Sequence, residues 1–200
     1  MKKVKLLVAL GVCGLVLGAC GDKKVEEKGN ATAVKESEVS SVESAAESSK
    51  ELPEGVEART LFSTDWTEDW HDTTFKITEV SVVQYSDPEA IEFTDSEYMV
   101  GVNFSIQNNG DHAISAYPDQ GIAIINGKQY DADMMLSDSI GGDIIDGSTV
   151  EGVVVFAVPD LTSVDDVTEL RLTWPADDFE DTTNMDDTSK DFDVTLELKK

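Results

Sequence analysis

Few side chains in this sequence can do chemistry, and their types narrow the choice quickly. The 200 residues include two histidines, His71 and His112, and two cysteines, Cys13 and Cys20. Nucleophilic hydrolysis needs a hydroxyl or thiol beside a base, and only the two imidazoles titrate near neutral pH. His112 closes the turn-like run Asn108-Asn109-Gly110-Asp111-His112, where an exposed loop position is expected. His71 precedes Asp72, but adjacent residues of an extended segment point opposite ways, which argues against an oriented His/Asp base. The sequence has no Gly-x-Ser-x-Gly elbow and no Gly-rich phosphate loop. Neither histidine has a Cys or His at zinc spacing. The reading is that this protein is not an enzyme.

Two further groups could bind rather than react. Residues 177–193 offer many hard oxygens of the kind calcium takes, chiefly from Asp177, Asp178, Glu180, Asp181, Asp186 and Asp187. They lack the Asp-x-Asp-x-Asp-Gly spacing and distal Glu of an EF-hand. A solvated acidic loop between the last two strands is the competing reading. Apart from that calcium ion, no cofactor is expected. Trp66 and Trp70, four residues apart, would share a face if Thr64 to Trp70 formed a helical turn, and could stack on sugars. The rival is that Phe62, Trp66 and Trp70 cover an open end or edge of a β-sandwich, since buried aromatics are the commoner case.

Charge excludes other partners. With 41 acidic and 15 basic residues the net charge is −26. Neutralising nucleic-acid phosphates takes a basic face, and an anionic membrane surface would repel this chain. At 40% hydrophobic residues it is too apolar to be wholly disordered, and no apolar run is long enough for a stable membrane span.

Candidate residues need elements to position them, and the chain divides into three parts. Residues 21–55 contain no aromatic residue and carry 9 acidic against 5 basic side chains. Such a stretch cannot bury enough apolar surface to offset its ordering entropy, so a disordered tether is expected. Fully extended it would reach roughly 120 Å; as a flexible coil, about 30–35 Å. All Trp, Tyr and Phe lie beyond residue 60, which makes 56–200 the folded domain. It holds 32 acidic against 7 basic residues, so the acidity belongs to the domain.

Within it, strands are read from alternation. Tyr98, Val100, Val102, Phe104 and Ile106 alternate with polar or small residues. Ile122–Ile125 and Lys128–Tyr130 flank Asn126-Gly127, a strong hairpin signal. Thr149–Val158 is apolar on both faces, which suggests a central strand. Leu170, Leu172 and Trp174 alternate up to Pro175, expected to end that strand. Phe192, Val194, Leu196 and Leu198 make the last one. Phe75 and Ile77 share one phase while Val80 and Val82 take the other, the mark of a bulge. About seven short strands without long helical periodicity predict an all-β fold, an antiparallel β-sandwich.

The N-terminus reads Met1-Lys2-Lys3-Val4-Lys5, then apolar Leu6 to Val16, then Leu17-Gly18-Ala19-Cys20. A basic start, a short apolar region and a small-residue cleavage site are the parts of an exported signal. Leu17-Gly18-Ala19-Cys20 closely resembles the lipobox of bacterial lipoproteins. That resemblance implies a signal peptide over 1–19 and a diacylglyceryl thioether on Cys20. It implies attachment to the cell membrane at its extracytoplasmic face, with 20–55 as lipidated Cys plus tether. Cys13 would leave with the signal, so no disulfide could form within the mature chain.

Two stretches carry a second resemblance: Tyr98 to Asp111 with its continuation to Asp133, and Gly147 to Pro159. They resemble the immunoglobulin-like, telokin-like domain of Gram-positive lipoproteins, similar in fold to a secreted mycobacterial immunogenic protein. Asp146-Gly147 stands where that family often has Pro-Gly. The resemblance implies an immunoglobulin-like fold and no established activity. Together these readings predict a lipid-anchored surface protein displaying a non-catalytic binding module. Its partner would be an envelope or host protein, or a wall glycan. The alternative is a carbohydrate- or calcium-binding envelope module.

Overall fold

The structure, a computed structural model, describes residues 29–33, 52–87, 94, 96–180 and 187–199. The signal-peptide segment 1–19, Cys20, most of the tether, and Asp181 and Asp186 lie outside the described residues. The eleven strands among the described residues are β1 (Gly29–Ala33), β2 (Val56–Trp70), β3 (Thr73–Tyr85), β4 (Tyr98–Asn108), β5 (Ile114–Ala116), β6 (Ile122–Ile125), β7 (Lys128–Asp131), β8 (Gly142–Ile144), β9 (Thr149–Ala157), β10 (Glu169–Asp177) and β11 (Ser189–Lys199). One 3₁₀ turn, Pro118–Gln120, joins β5 to β6.

The strands form the two antiparallel sheets of an all-β, immunoglobulin-like sandwich. One layer runs β2-β3-β4-β9. The other runs β7-β6-β10-β11, with β5 following β6 along the same edge of β10 and β8 outside β5. Aromatic rings fill the space between the layers. Trp174 and Phe192 stack at 4.9 Å in one sheet. Trp66 and Phe104 of the other sheet meet Trp174 edge-on at 5.8 and 5.2 Å. These geometries suit the ring quadrupole and exclude water.

Several elements match the alternation and several differ. The bulge in β3 is present: its register against β4 shifts between Ile77 and Glu79, which puts Phe75, Ile77, Val80 and Val82 all inside. Residues 64–70 are not a helical turn. They are the end of β2, because Phe62, Trp66 and Trp70 find the core at a strand's two-residue period. Pro175 does not end β10, which continues to Asp177. The Pro175 carbonyl accepts from Tyr117 N at 3.1 Å. Its ring nitrogen therefore faces the same side, the gap between β6 and β5, where no ladder donor is needed.

β9 is not central. It pairs only with β4, at the edge of its layer. The loop after β7 covers its outer side: Asp133 N and Asp138 N donate to the Val155 and Val153 carbonyls, and Val153 N and Val155 N donate to Asp138 Oδ2 and Ser137 Oγ. That cover blunts an edge that would otherwise recruit another chain.

The tether also differs at Gly29–Ala33. This segment, β1, pairs parallel with β11 and antiparallel with β2, so it lies along the seam between the layers. Backbone groups on β2 and β11 accept such a strand through its main chain alone, which is why composition gives no sign of it.

Candidate functional site

One end of the sandwich gathers the β2–β3 turn and the loops after β4, β8 and β10. The β2–β3 turn has only two residues, His71 and Asp72, between the paired Trp70 and Thr73. Both hold positive φ, 48° and 55°, as the tight hairpin turn of opposite hand requires. Histidine and aspartate tolerate that region better than most residues do. The turn breaks the alternation expected of an extended His71-Asp72, so the imidazole is aimed across to the other sheet.

There it meets Asp178, the first residue past β10. Asp178 is 0% exposed, and His71 Nδ1 donates to its Oδ2 at 2.6 Å. His112 reaches the same carboxylate, donating from Nε2 to both oxygens at 2.9 Å. The two histidines of the chain thus converge on one buried carboxylate, with side chains 13% and 27% exposed.

The second contact of each ring is also acidic. His112 Nδ1 donates to Asp111 Oδ1 at 2.8 Å, and His71 Nε2 stands 3.6 Å from Asp187 Oδ2. With both ring nitrogens donating to carboxylates, His112 is an imidazolium. Hydrogen bonds to Asp178 and then Asp111 push the His112 pKa up to about 9, against the opposing cost of burial.

The loops that present these groups are fixed by backbone contacts. Asn108, fully buried, donates from Nδ2 to the carbonyls of His112 and Ile144, both at 2.8 Å, and its Oδ1 accepts from Gly110 N. It thereby shapes the loop that carries His112. Asn109 N donates to the Asp72 carbonyl at 2.9 Å, locking that loop to the His71 turn. Asp178 N donates to Thr188 O, closing the base of the last loop. Beside the cluster lies a shallow groove of about 320 Å³ lined by Asp69, Trp70, His71, Asp72, Thr74 and Asn109.

The residues singled out from the sequence are placed as follows. Trp66 is enclosed in the aromatic core and offers no face to a sugar. Trp70 is also buried, its ring tilted against His71 at 4.3 Å. Neither is the exposed stacking platform considered above. The strand's alternation sends both rings inward, since residues four apart share a strand face as well as a helix face. Of the acidic run, Asp178 is taken by the two imidazoles. Asp177 accepts from Ser189 Oγ at 2.7 Å. Glu180 gives its backbone N–H to Asp178 at 3.1 Å, and Asp187 stands near His71. Among the described residues, no three His, Cys, Asp or Glu side chains stand around a gap ready for an ion. His112 is not the bland exposed loop residue expected; its partner is 66 positions away and invisible to spacing.

Comparison with known proteins agrees with the fold and assigns no activity. The profile of a family described as "Domain of unknown function (DUF4352)" matches residues 63–182. Two solved structures are similar. A functionally unknown protein from Listeria monocytogenes EGD-e is 16% identical with a TM-score of 0.50, covering 72% of this chain and 87% of that one. The yjhA protein from Bacillus subtilis is 19% identical with a TM-score of 0.47, covering 68% of this chain and 97% of that one. No curated protein matches.

Proposed function

Since the chain belongs to the DUF4352 family, whose function is unknown, its role must be read from its own surfaces, and we propose that it is a lipid-anchored binding module. In this reading Cys20 carries the lipid and the sandwich presents its loop end to a protein partner outside the membrane, without catalysis. Among the described residues no helix is long and apolar enough to cross a membrane.

The observation that carries the reading is the surface of the loop end. Ile144 pairs with Ile114, and Asp177 pairs with Ser115. Ile145 and Phe179 lie one and two residues beyond those pairs, in the loops that follow β8 and β10. They are 63% and 74% exposed, among the carboxylates Asp111, Asp146, Glu180 and Asp187. Large apolar side chains held in water at loop tips on a rigid scaffold are the usual material of a binding surface. The surrounding acidity selects a partner that is basic around an apolar centre. The His71–Asp178 pair resembles half of a hydrolytic triad, but His112 turns both of its ring nitrogens to carboxylates and shares Asp178 with His71, an arrangement that favours binding over acyl transfer.

β1 alters the expected reach. Nine peptide units separate Cys20 from Gly29, at most about 30 Å when extended. With β1 in the seam the domain is held close to its anchor. Released, the whole tether extends that distance severalfold.

Two measurements test the reading. Mass spectrometry of the Cys20 peptide should show a diacylglyceryl thioether; an unmodified thiol contradicts the anchor. The mature chain should capture an envelope protein that Phe179→Ser and Ile145→Ser no longer capture. Equal capture by these variants, or none by any, overturns the role of the loop end.

A further inference from the structure

We propose that His71, His112 and Asp178 form a binding site for a divalent transition-metal ion of the zinc class. This inference is independent of the lipid anchor and of any protein partner.

Donor chemistry comes first. Two imidazole nitrogens and one carboxylate are zinc ligands, and such mixed sets leave a further position for water or substrate. Imidazoles suit calcium poorly, because that ion takes oxygen. The three donors already meet: His71 Nδ1 and His112 Nε2 lie 2.6 and 2.9 Å from the same Oδ2 of Asp178. Each of those short contacts needs a proton on the line between nitrogen and oxygen.

A metal ion does the same work as those protons. It draws two partly exposed imidazole nitrogens onto one buried carboxylate. Metal–ligand distances of about 2.0–2.2 Å around a tetrahedral ion set its ligands roughly 3.3–3.6 Å apart. From 2.6 and 2.9 Å, the nitrogens must therefore withdraw from Asp178 by about 0.4–1 Å. This explains why the donors now leave no ion-sized gap and yet remain suited to one. Of the three donors, His71 also lines the shallow groove beside Trp70, Asp72 and Asn109.

The outer contacts supply an independent argument. An imidazole that ligates a metal through one nitrogen characteristically gives its other N–H to a carboxylate or carbonyl, which fixes tautomer and ring angle. His112 does this with Asp111 at 2.8 Å, and His71 Nε2 is turned to Asp187 at 3.6 Å. For His112 this outer contact is already a hydrogen bond; for His71 it stands just beyond hydrogen-bond distance. Asn108, and the Asn109 contact to Asp72, hold the two loops in place for it.

Isothermal titration of the full chain in detergent, first stripped with a chelator, tests the site with Zn²⁺ alone. One saturable equivalent is expected, undiminished by excess Ca²⁺. His71→Ala and His112→Gln should each weaken it at least tenfold. Asp111→Asn alters a side chain fully in water, leaves the fold intact, and should still weaken binding about tenfold. Co²⁺ should give the visible absorption bands of a tetrahedral complex, lost in His112→Gln. The proposal is overturned if no stoichiometric equivalent binds. It is equally overturned if the histidine variants bind Zn²⁺ as the parent does, which would place the ion on the acidic surface instead.

Discussion

Two hairpins at opposite ends of the sandwich make the same turn with different residues. Asn126 and Gly127 join β6 to β7 with φ of 51° and 76°, the sequence that such a turn favours. A Cβ added to Gly127 would meet open space, so glycine is there for its backbone alone. His71 and Asp72 join β2 to β3 with φ of 48° and 55°, although neither is a first choice for this conformation. The contrast teaches what the second turn is for. A turn chosen for folding carries Asn-Gly; a turn that accepts backbone strain carries a side chain needed elsewhere. Here that side chain is the imidazole delivered to Asp178 across the two sheets.

The comparison can be broken most severely at Asp178. Asp178→Ala leaves two imidazoles packed against an empty space in place of their counter-charge. Removing one partner of a buried pair typically costs about 3–5 kcal/mol, so thermal unfolding should shift down by roughly 10 °C. An unchanged melting temperature would show that the cluster is incidental to the fold.

Exchanging the turns sharpens the point. Asn126→His with Gly127→Asp puts strain where no partner exists, and should destabilise by about 1–2 kcal/mol. His71→Asn with Asp72→Gly relieves strain but forfeits a charge-assisted hydrogen bond, so a net loss of about 1 kcal/mol is expected. A rise in melting temperature for the second exchange would reverse the interpretation.

A smaller effect should follow pH. The folded His112 pKa lies near 9, above the ordinary 6.5, through its bonds to Asp178 and Asp111. A raised pKa means that its stabilisation is complete below pH 6.5 and is lost as pH climbs through 9. Melting temperature should therefore decline across that window, and His112→Gln should flatten the decline. The smallest effect belongs to the Asn-Gly hairpin. Lys128 Nζ pairs with Asp160 at 3.1 Å, both more than half exposed. Lys128→Ala should cost under about 0.5 kcal/mol, because solvent screens such a pair.

Local chemistry determined much of this molecule. The alternation of Tyr98 to Ile106, the Asn126-Gly127 turn and the phase flip between Ile77 and Val80 are all legible, because each depends on residues adjacent in the chain. They sufficed for an all-β sandwich. Trp66 and Trp70 show the limit. Their spacing fits a helix face or a strand face, and only the long pairing of β2 with β3 decides between them. β9 looks central because both of its faces carry apolar residues, and only the assembled sheet shows it at the side of its layer, with the 133–138 loop bonded along its free edge. Five residues of the tether form β1 because the edges of β2 and β11 flank an open seam, a property of the assembled sheets rather than of Gly29–Ala33. The His71–Asp178–His112 cluster lay wholly beyond the sequence. Its members are separated by 107 and 66 positions, so no motif spacing joins them. They meet only when the β2–β3 turn, the loop after β4 and the end of β10 are stacked at one end of the sandwich. Periodicity reports which face a residue takes, but distances between loops are set by packing, and only the folded chain brings those three side chains together.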